Sequence, residues 1–150
     1  MKTAIIIGAS TGIGRATALA LSGKYNSISI TSFKHKEELL SLRDELMAKG
    51  CICYCETGDA GDMEFMEKFI QNTIDHLGSD IDLLINNAGI SYVGLINDMT
   101  AQDFDRTMKS NVYSVFNSCR LVVPHMIQHH KGHIINISSV WGNVGASCEV

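Results

Sequence analysis

Proline occurs once in the 150 residues, and no low-complexity tract or run of Pro, Gly and Ser breaks the chain. That leaves no linker, and it points to a single domain of a size that buries a substantial core. No apolar run approaches the length needed to span a bilayer. Positive charge is also short: 12 Lys and Arg stand against 16 Asp and Glu, for a formal charge of −4. Nucleic acid and anionic membrane surfaces are therefore not expected as main partners. Met1-Lys2-Thr3 passes straight into an apolar segment, without a signal-peptide pattern. The 5 cysteines are an odd count that suits reduced thiols in the cytoplasm better than a disulfide framework.

Glycine is not scarce, and its first cluster organises the chain. The apolar, β-branched segment Thr3-Ala4-Ile5-Ile6-Ile7 reads as a strand, and Ala16 to Leu21 reads as a helix. Between them lies Gly8-Ala9-Ser10-Thr11-Gly12-Ile13-Gly14-Arg15. Gly8 lets the chain leave the strand in a conformation that a Cβ would strain. Gly12 lets a phosphate approach the backbone, and Gly14 lets the helix pack on the strand. The free N–H groups at the helix start attract an anion. The spacing Gly-x-x-x-Gly-x-Gly differs from the commoner Gly-x-Gly-x-x-Gly of dinucleotide folds. The strand before and the helix after favour a nucleotide cradle over an ordinary glycine turn. A P-loop is excluded, because no Gly-Lys-Ser/Thr follows.

The first helix is expected over about Ile13 to Ser22, and a second strand over Ser27 to Ser32, with Ile28 and Ile30 alternating with hydroxyl residues. Leu39, Leu42 and Leu46 then mark one face of an amphipathic helix that Gly50 ends. Cys51 to Cys55 forms the third strand, and a helix follows over Asp62 to Leu77 with Met66, Phe69, Ile70, Thr73, Ile74 and Leu77 as its apolar stripe. Ile81 to Ile85 is apolar enough for a strand buried on both faces. Thr100 is placed to cap one long helix reaching about His130, and His133 to Ile137 is the last strand, ending in Ser138-Ser139.

Strands and helices alternate, which is the pattern of an α/β doubly wound parallel sheet of about 5 strands and 4 helices. Such sheets bind ligands at the carboxyl ends of their strands. Those ends carry Gly8 to Gly14, Lys34, Asp59, Asn86 to Gly89 and Ser138-Ser139, so the polar and glycine signals converge on one edge.

These residues, with Asn111 and Ile134-Ile135-Asn136-Ile137-Ser138-Ser139, make the chain resemble the leading part of a classical short-chain dehydrogenase/reductase. Within that family it is most similar to reductases of the 3-oxoacyl-acyl-carrier-protein type. The resemblance implies a Rossmann-like sheet, here incomplete, with residues 1–150 forming an NAD(P)-binding domain. It implies that Gly8, Ser10, Thr11, Gly12, Ile13 and Gly14 hold the cofactor pyrophosphate. Asp59 would bind the adenine, and Asn86, Asn87, Ala88 and Gly89 would flank the adenosine ribose and steady the central strands. Asn111 would take part in a proton-relay water chain, and Ser139 would be the catalytic serine. The family's Tyr-x-x-x-Lys pair would fall just past Val150. None of Tyr25, Tyr54, Tyr92 and Tyr113 has a lysine four residues later, so the chain is expected to be truncated and inactive alone. The ending within Gly145-Ala146-Ser147-Cys148-Glu149-Val150, which carries no capping signal, agrees with truncation.

The expected reaction is hydride transfer between a nicotinamide and a small-molecule carbonyl or alcohol. NADP(H) is favoured over NAD(H), because the segment after the second strand offers Lys34 or Lys36, with Arg15, and no acid before Glu37. The last strand would present an exposed apolar edge and the long helix an unpaired apolar face, so a homo-oligomer (dimer or tetramer) is expected. A non-catalytic nucleotide-binding or oligomer-forming remnant is the competing reading. Cys51, Cys53 and Cys55 share a strand face and read as small buried side chains, with zinc disfavoured by their spacing. His125 and His129 read as a solvated helix end, and no metal is expected.

Overall fold

The computed structural model describes residues 2–148; Met1, Glu149 and Val150 lie outside the described residues, so the expectation resting on the chain's last residues goes with them. The strands are β1 (Thr3–Ile7), β2 (Ser27–Ser32), β3 (Ile52–Thr57), β4 (Ile81–Asn86) and β5 (His133–Asn136). The helices are α1 (Gly12–Leu21), α2 (Lys36–Ala48), α3 (Met63–Leu77), α4 (Ala101–Met108) and α5 (Ser114–Gln128). The sheet is parallel throughout, in the order β3-β2-β1-β4-β5. This is a Rossmann-like doubly wound sheet, and its order reverses between β1 and β4.

Strand alternation divides the core into two layers. Ala4 and Ile6 of β1, with Ile28, Ile30, Leu83 and Ile85, pack against Ala18 of α1 and Leu39, Leu42 and Leu46 of α2. Ile5 and Ile7, with Ile81 and Leu84, pack on the other face against Met66, Phe69 and Ile70 of α3 and Val122 and Met126 of α5. Every residue of β1 and β2 is buried, as the centre of a sheet covered on both faces requires.

The hydroxyl residues of β2 are therefore buried. Ser29 Oγ pairs with Thr73 Oγ1 of α3 at 2.7 Å, and Thr31 Oγ1 donates to the Glu56 carbonyl at 2.7 Å. Among the described residues, Thr3 Oγ1 and Ser27 Oγ are buried with no hydrogen-bond partner. Removing an unpaired hydroxyl costs little, whereas removing half of a buried pair strands the other half. Ser27→Ala should thus leave stability unchanged or raise it by about 1 kcal/mol, while Ser29→Ala should lower it by about 1–3 kcal/mol. Urea denaturation of the two variants checks the contrast.

Three expectations are corrected. The third strand runs two residues further than Cys51 to Cys55, because β2 pairs with it from Ser27↔Ile52 to Ser32↔Thr57. Cys51 precedes it, and its thiol donates to the Ser22 and Tyr25 carbonyls at 3.3 and 3.4 Å. Cys53 and Cys55 do keep one face and pack under α2, where burial pushes the Cys53 thiol up to about 12. Second, the helix expected from Ala101 runs unbroken to Gln128 but is not α-helical throughout: a π turn, Lys109–Tyr113, lies between α4 and α5. Its start is as expected: Thr100 and Asp103 form a reciprocal capping box. Third, His129 is not simply solvated. Its Nε2 lies 3.3 Å from Ser79 Oγ and its Nδ1 3.9 Å from Asp80, which also pairs with Lys131 at 2.6 Å.

Candidate functional site

The carboxyl ends of β1 to β4 open into a cleft of about 580 Å³ at the point where strand order reverses. Its floor is built by a close approach of two backbones. Gly8 leaves β1 with φ +84°, and a Cβ there would stand 2.7 Å from the Ala88 backbone. The carbonyl of Gly8 accepts from Asn87 Nδ2 at 2.7 Å, which ties the glycine loop to the end of β4. Gly14 closes the same junction from α1: a Cβ there would collide with the Gly8 carbonyl and lie 2.6 Å from Asn87 Nδ2. The first helical hydrogen bond of α1 runs from Arg15 N–H to the Thr11 carbonyl at 3.2 Å. The amides of Gly12, Ile13 and Gly14 precede it, in the position where a helix start binds an anion. Space beside Gly12 is open, with nothing within 4 Å of where a Cβ would be.

Gly8, Ser10, Thr11, Lys34, Asp59, Ala88 and Gly89 all line the cleft. Lys34 follows β2, with its ammonium 5.5 Å from the centre of the Phe33 ring. Asp59 follows β3: its Oδ1 accepts from Gly61 N–H at 2.9 Å, and its Oδ2 pairs with Lys109 Nζ at 2.9 Å. The Asp59 carboxylate in turn holds the Lys109 ammonium above its ordinary range.

Other expected site residues stand elsewhere. Asn86 is buried as a brace: its Nδ2 donates to Asn136 Oδ1 at 2.8 Å, and its Oδ1 accepts from Ser118 Oγ at 2.7 Å. It locks β4, β5 and α5 together under the site. Asn111 sits in the π turn, where its side chain clasps Ile90 by accepting from the N–H and donating to the carbonyl, both at 2.8 Å. Ser139 follows β5 and caps a short 3₁₀ turn, accepting from Trp141 N–H at 3.3 Å. That bond uses an acceptor site and leaves the hydroxyl proton free to donate elsewhere. Arg15 is committed to α2, pairing with Glu45 and donating to the Glu38 carbonyl at 3.2 Å, and neither it nor Lys36 lines the cleft. Lys34 is thus the member of that cation set at the cleft wall.

Asn87, within the expected Asn86 to Gly89 turn, acts through its side chain on Gly8. One residue that shapes the cleft escapes a reading of motif and period. Lys109 reaches the cleft from the π turn, whose extra residue rotates the helix face and defeats a 3.6-residue count.

Residues 2–150 match the short chain dehydrogenase family. The chain belongs to that family. It is 34% identical over 144 residues to a 3-oxoacyl-acyl-carrier-protein reductase of Staphylococcus aureus, covering 96% of this chain and 58% of the relative. It is 32% identical to a sepiapterin reductase of Chlorobaculum tepidum, over 91% of this chain and 58% of that one. A 3-ketoacyl-ACP reductase structure from Sinorhizobium meliloti superposes with a TM-score of 0.88 at 30% identity, covering 93% of this chain and 55% of that one. An actinorhodin polyketide ketoreductase with NADPH superposes with a TM-score of 0.91 at 24% identity, over 98% and 56%, which speaks for the fold. The chain thus spans 58% of the length of these curated short chain dehydrogenase relatives. No helix among the described residues is long and apolar enough to cross a membrane.

Proposed function

We propose that these residues form the NADP(H)-binding part of a short-chain carbonyl reductase acting on a small-molecule carbonyl or alcohol, with a 3-oxoacyl-type substrate favoured by the names of the reductases it resembles. One observation carries the reading: Gly8, Ser10 and Thr11 of the glycine loop, Lys34, Asp59 and the Ala88-Gly89 turn line one cleft at the switch point of the sheet. The open space beside Gly12 and the first-turn amides of α1 fit a pyrophosphate. Lys34, with no carboxylate beside it in Thr31-Ser32-Phe33-Lys34-His35-Lys36, fits a 2′-phosphate. Asp59 fits an adenine amino donor, and Ala88 and Gly89 fit the adjoining ribose.

When bound, the cofactor supplies or accepts a hydride at the nicotinamide ring. Ser139 donates a hydrogen bond to the substrate oxygen, keeping its proton, and steadies the charge that develops there. Asn111 anchors the loop after β4 and serves a proton relay. Its amide spends one acceptor site and one donor on Ile90, which leaves one of each to hold water. The general acid of the family's Tyr-x-x-x-Lys motif has no counterpart in residues 1–150, so on this reading these residues bind cofactor without turning over substrate. The exposed outer edge of β5 and the apolar face of α4 and α5 fit a homo-oligomer.

Titration with NADPH and NADH tests the cofactor assignment. The chain should bind NADPH roughly tenfold more tightly, and Lys34→Glu should reverse that order, since one charge-assisted contact is worth about 1.5–3 kcal/mol. Comparable affinities for both nucleotides in the unmodified chain would remove the assignment.

A further inference from the structure

We infer that Lys109 is a second base-reading residue of the cleft, the hydrogen-bond donor beside the acceptor Asp59. The inference rests on the cleft being a dinucleotide site. The two side chains reach one place from opposite walls, Asp59 from the end of β3 and Lys109 from the π turn after α4, and both line the cleft.

Asp59 is held at both oxygens, by Gly61 N–H at 2.9 Å and by Lys109 Nζ at 2.9 Å, so the plane of its carboxylate is fixed. A carboxylate offers about four lone-pair sites and an ammonium three donors, so each group keeps capacity beyond the pair itself. An acceptor and a donor therefore stand side by side, at a spacing close to that of neighbouring polar atoms on a purine edge. Adenine presents the complement, an exocyclic amino group that donates and an adjacent ring nitrogen that accepts. Lys109 is also placed by its backbone, because a Cβ at Gly61 would collide with the Lys109 carbonyl and Cγ. Asn117 Nδ2 adds a buried bond to the Ala60 carbonyl at 3.1 Å. The loop Asp59-Ala60-Gly61 is thus joined to the start of the π turn at two points and to α5 at a third.

A half-exposed ion pair adds little to stability, so the loss of Lys109 should register in binding and not in folding. The test is NMR titration of the chain with NADPH and with reduced nicotinamide mononucleotide, which carries no adenine, alongside thermal melting. Lys109→Met should weaken NADPH about tenfold and leave the mononucleotide and the melting temperature unchanged, and Lys109→Arg should restore most of the loss. Equal weakening of both ligands, or of neither, overturns the inference and leaves the dinucleotide reading standing. An unmodified chain that binds NADPH no better than the mononucleotide overturns both.

Discussion

Gly14→Ala should destabilise the chain by about 2–3 kcal/mol and weaken NADPH binding at least roughly tenfold, because it adds a methyl group where packed backbone leaves no room. The added Cβ meets the Gly8 carbonyl and Asn87 Nδ2, which are themselves hydrogen-bonded. Neither can yield alone. Moving Gly8 disturbs a residue at φ +84° that is already pressed on Ala88, and moving Asn87 frees the end of β4. Stability and binding should therefore fall together, since the junction that packs α1 on the sheet also shapes the phosphate end of the cleft. Gly23→Ala is the control: nothing lies within 4 Å of its Cβ position, so the change should stay within about 0.5 kcal/mol. Denaturant unfolding and NADPH titration of the two variants check both halves.

The chain should self-associate at micromolar concentration. Ile134, Ile135 and Ile137 are exposed in and beside β5, whose outer edge pairs with no strand among the described residues. Phe104, Val112, Tyr113, Phe116 and Ile127 are exposed along α4, the π turn and α5, with Phe116 at 57% and Ile127 at 67%. Apolar surface of this extent, beside an open strand edge, favours association over hydration. Sedimentation velocity should show dimers or larger species, with Phe116→Glu shifting the distribution toward monomer. A single monomer boundary across the micromolar range would contradict this.

The parts of the fold that local pattern determines are legible in the sequence. β1 and β2 carry alternating or continuous apolar residues and fall where expected, and Leu39, Leu42 and Leu46 are buried as one stripe. Thr100 caps α4 through its own neighbour Asp103, again a local interaction. What local pattern does not determine is harder to read. The π turn comes from a single extra residue in a helix whose flanking composition is ordinary, and it sets where Lys109 and Asn111 stand. Arg15 reads as a free cation beside the glycine loop, but α2 supplies Glu45 from 30 residues away. Asn86 sits in a motif suggestive of ligand contact, yet its partners Ser118 and Asn136 come from α5 and β5, and those bonds turn it inward. The cleft itself was legible because the strand ends must share one edge in a parallel sheet, whatever the details of each loop.

The most direct test of the account is to follow the backbone amides of the chain by NMR while NADPH is added. The account predicts saturable shifts centred on Gly8, Ser10, Thr11, Lys34, Asp59 to Gly61 and Asn87 to Ser91, which line the cleft at the carboxyl edge of the sheet, and on the adjoining helix start, Gly12 to Gly14. Shifts centred on the opposite edge, around Ser79, Asp80 and His129, or no saturable shifts at all, would contradict it.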